Sequence, residues 1–346
     1  MTELPRNIIL TGDAATRLRE LPAATVDCVI TSPPYYALRN YGHDDQLGLE
    51  ATVDEWVAGL MPVFRELARV VKPTGSVWLN LGDSFSRHAR YGAAPKGLLL
   101  APERLVLALS GAGWLVRNKV VWAKTNPMPS SIQDRLTLTY EVVYFLARSP
   151  RYFFDLDAIR EPHRSGGGKA AAKADHARPT YRGPLAASNE GLARERPPGQ
   201  PGHPLGKNPG DVWQLPASNY RGGHFATFPP RLTQRPLLAT CPEAVCTACG
   251  QGWKRQYTVR RLWSAKDQEA TTVREAGEFI RCNCDAPTVP GVVLDPFFGT
   301  GTVGAVACEN RRDYLGIELN PHYVQLAEER IKKACGSSDE LQACPA

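Results

Sequence analysis

No stretch of this 346-residue chain approaches the ~20 consecutive apolar residues that a membrane-crossing helix needs. The opening Met1-Thr2-Glu3-Leu4-Pro5 lacks the basic start and apolar core of a signal peptide, so a cytoplasmic protein is expected. No internal repeat is present. Residues 162 to 207 contain no Val, Ile, Phe or Trp and a single aromatic, Tyr181, while seven Pro and eight Gly fall in those 46 positions. Such a segment cannot build a core of its own and reads as a largely flexible, solvated linker. Basic residues recur through it, Arg178, Arg182, Arg194 and Arg196 among them, and the net charge of the chain is +6. That sign suits a polyanionic partner, and a loop that orders only on phosphates is the functional reading of the same residues. Nine cysteines are present, five of them between Cys241 and Cys284, and in a cytosolic chain that clustering points to metal rather than to disulfides.

The rest of the chain alternates between strand and helix signals. Asn7 to Leu10, Val26 to Ile30, Ser76 to Leu81, Val116 to Trp122 and Glu141 to Leu146 read as strands. Trp56 to Val71 carries apolar residues at a helical period and is stopped by Lys72-Pro73-Thr74-Gly75; a second helix runs from Pro102 to Ser110. Towards the C-terminus come strand Val292 to Asp295, a helix from Thr302 to Asn310, strand Tyr314 to Glu318 and a helix from Pro321 to Lys333, with a polar tail over 336–346. This alternation predicts an α/β, doubly wound sheet.

Two short motifs stand at the carboxyl ends of predicted strands, where an open parallel sheet binds ligands. Thr31-Ser32-Pro33-Pro34-Tyr35 follows the second strand, and Asp295-Pro296-Phe297-Phe298-Gly299-Thr300-Gly301 follows the Val292 strand. The second continues as G-x-G-x-x-G, with Glu318 ending the next strand 19 residues past Gly299. Glycines in that turn let the backbone approach a nucleotide closely and the acid suits ribose hydroxyls, a pattern shared with nicotinamide sites. A nicotinamide site has its first glycine directly after the strand, whereas here Asp295-Pro296-Phe297 intervenes.

With both motifs in view, the chain resembles the amino-methylating DNA methyltransferases that use S-adenosylmethionine, in the permuted arrangement called beta, with the catalytic motif first and the cofactor motif last. The resemblance covers most of residues 7 to 150 and 208 to 333. It implies a mostly parallel sheet of the S-adenosylmethionine-dependent methyltransferase type, with an inserted target-recognition region and a small cysteine-rich insert. On it, 1–150 is the catalytic half, 151–215 the target-recognition region, 216–240 a cofactor-lining segment, 241–290 the cysteine-rich insert and 291–335 the cofactor-binding half. Asp295 would face the methionine ammonium, Phe297, Gly299 and Gly301 would shape the cofactor turn, and Glu318 would hold the ribose diol. Asp13 would lie near the adenine, a position that a helix N-cap also explains. Phe225 and Phe228 would line the methionine end, where ordinary core aromatics compete. Double-stranded DNA is the implied partner, in a prokaryotic cell, with a cognate restriction endonuclease as a second.

The Ser32-Pro33-Pro34-Tyr35 motif has a chemical rationale. The lone pair of an exocyclic amino group is delocalised into the base, so acceptors that hold its hydrogens favour a tetrahedral, nucleophilic nitrogen. The Ser32 hydroxyl and the Pro33 carbonyl would be those acceptors, Pro34 would stiffen the backbone, and Tyr35 would stack on the extruded base. No Pro-Cys nucleophile of the cytosine-C5 type is present. Ser at the first position resembles cytosine-N4 members and Asp the adenine-N6 members, so cytosine N4 is expected with adenine N6 as the alternative. Lys124, beside Trp122, falls where the family surrounds the flipped base. Cys246-x-x-Cys249 and Cys282-x-Cys284 offer four thiolates for a closed structural zinc site, in which Cys241 could replace a member of the second pair; Cys308, Cys335 and Cys344 read as incidental. A nicotinamide oxidoreductase and a non-enzymatic, zinc-containing DNA-binding protein remain as alternatives.

Overall fold

The computed structural model describes residues 4–38, 46–162, 203–217, 229–264 and 269–342. The chain divides into two compact units, one of Met1–Phe154, Gly210–Lys254 and Arg281–Ala346, the other of Asp155–Pro209 and Arg255–Ile280. In chain order the strands begin with β1 (Ile8–Thr11), β2 (Val26–Thr31), β3 (Val71–Leu81), β4 (Leu115–Lys124), β5 (Tyr140–Ala147) and β6 (Val212–Leu215). They continue with β7 (Ala244–Cys246), β8 (Gly252–Ser264), β9 (Glu269–Ile280), β10 (Thr288–Val289), β11 (Val292–Asp295) and β12 (Asp313–Glu318).

The first unit is built on an eight-stranded sheet in the order β1-β12-β11-β2-β3-β5-β4-β6. Only β5 runs against its neighbours; the other pairings are parallel. The adjacent inner strands β2 and β11 are buried along their whole length, as a strand covered on both faces must be. Alternate residues of these strands enter different cores. Val29 and Leu294 pack with Leu18, Trp56, Leu60 and Leu67, from α1 (Ala14–Glu20) and α2 (Val53–Val70), and with Leu105 from α3 (Ala101–Gly111). Cys28, Ile30 and Val293 pack with Leu237 from α4 (Pro230–Thr240), Val303 from α5 (Thr302–Glu309) and Ile331 from α6 (Pro321–Gln342). Helices therefore cover both faces, and the sheet is doubly wound and mostly parallel as expected.

Several boundaries differ from the sequence reading. α2 starts at Val53, where Thr52 and Glu55 form a reciprocal capping box. Lys72 to Gly75 does not separate helix from strand: β3 already begins at Val71, and the register against β2 jumps from Val26↔Val71 to Cys28↔Ser76, so these four residues bulge out of the ladder. Pro73 has no N–H to lose there, and Lys72 ties the bulge down with a 2.6 Å bond to Asp27. Residues 212–215, grouped above with the target-recognition region, form edge strand β6 beside β4. The last helix continues past Gly336 to Gln342, since one glycine costs a helix only about 1 kcal/mol.

Two features of the first unit fall outside the main sheet. β10, β7 and the start of β8 pair antiparallel around the cysteines. Cys308 and Cys335, read as incidental, are joined by a disulfide between α5 and α6, whose packing brings their Cα atoms to 5.5 Å. In the second unit the guanidinium of Arg255 on β8 lies 4.1 Å over the Phe279 ring on β9, and Arg274 donates to the Ala158 carbonyl at 2.9 Å. Among the described residues no helix is long and apolar enough to cross a membrane.

Candidate active site

At the carboxyl end of β2 the two prolines of Ser32-Pro33-Pro34-Tyr35 cannot donate to a ladder, so the chain leaves the sheet there. The turn is pinned from behind by Trp56 of α2, whose indole N–H donates to the Pro34 carbonyl at 2.9 Å. Tyr35 lies so close to Gly82, just past β3, that a Cβ there would stand 2.7 Å from its ring. The Tyr35 hydroxyl sits at the centre of a polar network. It accepts from the Ser32 hydroxyl at 3.1 Å and from the Asn80 amide at 2.7 Å, and it donates to Glu141 Oε2 at 2.7 Å. Asn80 also donates to Glu141 Oε2 at 2.9 Å. Lys124 closes the network by donating to Glu141 Oε1 at 2.6 Å, with its ammonium 5.2 Å over the Trp122 ring. The network thus draws on β3, β4, β5 and the turn that leaves β2.

The second motif ends the neighbouring strand. Thr31 donates its hydroxyl to Asp295 Oδ1 at 2.7 Å, and the Phe297 N–H donates to the same oxygen at 3.0 Å. Asp295 is 1% exposed, and burial pushes its carboxyl up to about 7 in spite of those two donors. Phe297 is half-buried, whereas Phe298 turns inward and stacks on Tyr314. Gly299 and Gly301 have φ of 52° and 76°, in the left-handed region. A Cβ on Gly301 would also lie 2.8 Å from that of Ala327, so this turn admits no side chain at that point. Glu318, ending β12, accepts from the Gly299 N–H at 2.7 Å and the Asn320 N–H at 2.9 Å, while burial raises its carboxyl above the usual range. Asp13 caps α1 by accepting from the Thr16 N–H at 2.8 Å, and the Gly12 N–H donates to the Glu318 carbonyl at 2.9 Å, so the cap stands beside the Glu318 strand end.

Between the strand ends and α4 lies a narrow cleft lined by Thr31, Trp78, Asn80, Leu232 and Thr233 among others. Two of these residues, Asn80 and Thr233, bury a side-chain oxygen that has no hydrogen-bond partner among the described residues, and Thr300 Oγ1 is in the same condition. Buried polar atoms are satisfied in the great majority of folded proteins, so the two orphans that line this cleft, Asn80 Oδ1 and Thr233 Oγ1, suit a polar ligand.

Cys246, Cys249, Cys282 and Cys284 are brought together, with ligand atoms all within 4.8 Å of one another. A tetrahedral zinc with Zn–S bonds of ~2.3 Å needs sulfurs about 3.8 Å apart, so the quartet fits one ion with no open position. The Trp253 indole N–H donates to Cys282 Sγ at 3.4 Å and brings that thiol down to about 6. Cys241 is not a member. It is buried in the core beside α4, and burial holds its thiol far above the ordinary range. Phe225, Phe228, Arg178, Arg182, Arg194 and Arg196 lie outside the described residues.

Asn80, Gly82 and Glu141 belong to no motif in the sequence. Asn80 stands inside an apolar strand, Gly82 follows it, and Glu141 opens a strand as many exposed acids do; only the sheet order brings them to Tyr35.

A doubly wound sheet with two motif turns at adjacent strand ends defines an α/β domain of the S-adenosylmethionine-dependent methyltransferase type. A model of the N6_N4_Mtase family, described as DNA methylase, matches residues 26–329, and the chain belongs to this family. Type II methyltransferase M.XycI of Xanthomonas campestris pv. cyanopsidis is 33% identical over 343 residues, covering 93% of this chain and 86% of that protein. Type II methyltransferase M.SfiI of Streptomyces fimbriatus is 33% identical over 385 residues, covering 92% and 90%. Among solved structures, the cytosine-N4-specific PvuII DNA methyltransferase matches with a TM-score of 0.56 at 15% identity, over 98% of this chain and 93% of that one. TTHA0409 from Thermus thermophilus, solved in complex with S-adenosyl-L-methionine, matches with a TM-score of 0.50 at 20% identity, over 94% and 95%.

Proposed function

We propose that this DNA methylase transfers a methyl group from S-adenosylmethionine to the exocyclic N4 amino group of cytosine in double-stranded DNA, after flipping the base out of the helix. The observation that carries this reading is the Thr31–Asp295 hydrogen bond of 2.7 Å, which sets the two motifs side by side at one edge of the sheet. Bound S-adenosylmethionine supplies an electrophilic methyl group on its sulfonium. Asp295, buried with no cation beside it among the described residues, suits the methionine ammonium; Glu318 suits the ribose hydroxyls; Phe297 and the open turn at Gly299 and Gly301 let the backbone pass the ligand closely. Asp13, already engaged as a helix cap, keeps a place near the adenine. Phe225 and Phe228 are assigned to the methionine end.

Ser32 directs its own hydrogen to Tyr35 and accepts a long 3.5 Å contact from the Asn80 amide, which leaves one acceptor site for an amino hydrogen of the target base. The Pro33 carbonyl takes the other hydrogen, Pro34 holds the turn against Trp56, and the anchored Tyr35 ring offers a face for stacking. The preference for cytosine rests on Ser at the motif's first position. Adenine N6 is the competing product. Target recognition is assigned to the region from about 151 to 290, the basic residues Arg178, Arg182, Arg194 and Arg196 contacting phosphates. The cysteine quartet is assigned a structural zinc ion. A cognate restriction endonuclease is proposed as a second partner, a reading in keeping with the Type II names of the relatives.

Expression in a host free of DNA methylation, followed by modification-sensitive sequencing, tests the reading directly. N4-methylcytosine at one defined sequence supports it, N6-methyladenine moves the chain to the competing product, and unmodified DNA from cells that hold the folded, soluble protein rejects both.

A further inference from the structure

Methyl transfer leaves a proton to be removed. As the new N–C bond forms, the S–C bond breaks with its electron pair staying on sulfur, and the amino nitrogen becomes cationic until one of its hydrogens departs. From the hydrogen-bond geometry we infer that Glu141 is the terminal acceptor of a relay running from the amino nitrogen through Ser32 Oγ and the Tyr35 hydroxyl to Glu141 Oε2. The inference rests on the amino-methylation reading above.

The relay is continuous. Ser32 donates to Tyr35 at 3.1 Å and Tyr35 donates to Glu141 at 2.7 Å. When Ser32 accepts the departing proton it passes its own to Tyr35, which passes its own to the carboxylate. The outcome is a neutral methylamino group, unchanged Ser32 and Tyr35, and a protonated Glu141. Asn80 sets the direction, since its amide donates to the Tyr35 hydroxyl at 2.7 Å and so occupies an acceptor site of that oxygen while the hydroxyl hydrogen turns to Glu141. Lys124 donates to the other carboxylate oxygen at 2.6 Å, so the half-buried Glu141 carboxylate is paired there and turns its second oxygen to Tyr35. The side chains of Lys124 and Glu141 are 25% and 15% exposed, which gives the proton a way out to solvent.

Neighbouring carboxylates are otherwise committed. Asp83 accepts from the Leu100 and Ala101 N–H groups at the start of α3, at 3.0 and 3.2 Å, and Asp295 is held by Thr31 and the Phe297 N–H. Glu141 thus acts through Tyr35 and Ser32 as a positioning and proton-accepting residue.

Glu141→Gln and Tyr35→Phe test this, both shape-conserving, with the parent enzyme as the control for methyl transfer itself. Thermal unfolding and equilibrium binding of DNA and S-adenosylmethionine report whether each variant is folded and loaded. Single-turnover methylation by Glu141→Gln should fall ~10²-fold near neutral pH and recover as pH rises and hydroxide takes the proton, with both binding constants unchanged. Adding Tyr35→Phe to that variant should cost little more, because both changes cut one path. In the unliganded protein, the ¹³Cζ resonance of Tyr35 should shift on Glu141→Gln. A Glu141→Gln variant that matches the parent, that loses the same factor at every pH, or whose loss multiplies with that of Tyr35→Phe overturns the relay. An inactive parent overturns the functional reading instead.

Discussion

Thr31 and Asp295 stand 264 residues apart in the chain and share a buried hydrogen bond of 2.7 Å. Thr31 is the last residue of β2 and Asp295 the last of β11, strands that lie side by side in parallel. The bond therefore joins the residue that introduces Ser32 to the residue that introduces the glycine turn. Any shift of one strand end is felt by the other, which is how a site assembled from both ends of the chain keeps a defined geometry.

The Asp295 carboxyl gives the protein a pH-dependent stability. It holds its proton up to about 7 in the fold, against 3.8 ordinarily, so the folded state binds more protons across that window and stability falls as pH rises through it. The loss amounts to at most about 4 kcal/mol. Asp295→Asn keeps an oxygen for Thr31 and Phe297 and should flatten this dependence between pH 4 and 7 in urea unfolding. A parallel pair of stability curves would show that Asp295 is already ionised.

Ser32→Ala removes an amino-group acceptor and the first step of the relay while leaving the cofactor turn untouched. Single-turnover methylation should slow by ~10²–10³, with S-adenosylmethionine affinity unchanged. Near-parent turnover takes Ser32 out of its assigned role.

Gly301→Val places a branched side chain at a φ of 76° and against Ala327, and Glu318→Ala removes the carboxylate that Gly299 and Asn320 address. Both should weaken S-adenosylmethionine at least ~10-fold by calorimetric titration, the second through lost charge-assisted hydrogen bonds. Parent-like binding by both variants would place the cofactor elsewhere.

The cysteine quartet should carry one equivalent of zinc in the purified protein, measured by atomic emission. Cys246→Ser with Cys249→Ser should abolish it, and a chelator should lower the Tm of the parent only, because an ion bound to the folded state stabilises it by mass action. Metal-free parent protein with an unaltered Tm would leave four reduced thiols.

Neutralising Arg178, Arg182, Arg194 and Arg196 together should weaken binding to all DNA sequences alike. The slope of log affinity against log salt should drop by up to ~0.9 for each phosphate no longer neutralised, with S-adenosylmethionine binding unaffected. An unaltered slope would assign the segment to a linker.

The sequence by itself determined the covalent neighbourhoods that chemistry requires: a Ser-Pro-Pro-Tyr turn that must leave its strand, a glycine turn that must pass something closely, paired cysteines at ligand spacing, and strands whose continuous apolar runs demand burial on both faces. These are local consequences of missing N–H groups, missing Cβ atoms and alternating burial, so they are legible without a fold. Tertiary structure alone decided which residues meet. Asn80 in a buried strand and Glu141 at a strand's start look like ordinary sheet residues until β5 pairs antiparallel with β3 and places Asn80 opposite Val143, two positions beyond Glu141. Cys241, by contrast, has the type and spacing of a ligand yet is drawn into the core beside α4, and Cys308 and Cys335 meet only because two helices pack. Encounters of that kind depend on strand order and helix packing, which sum many weak, distant interactions and leave no mark at any single position.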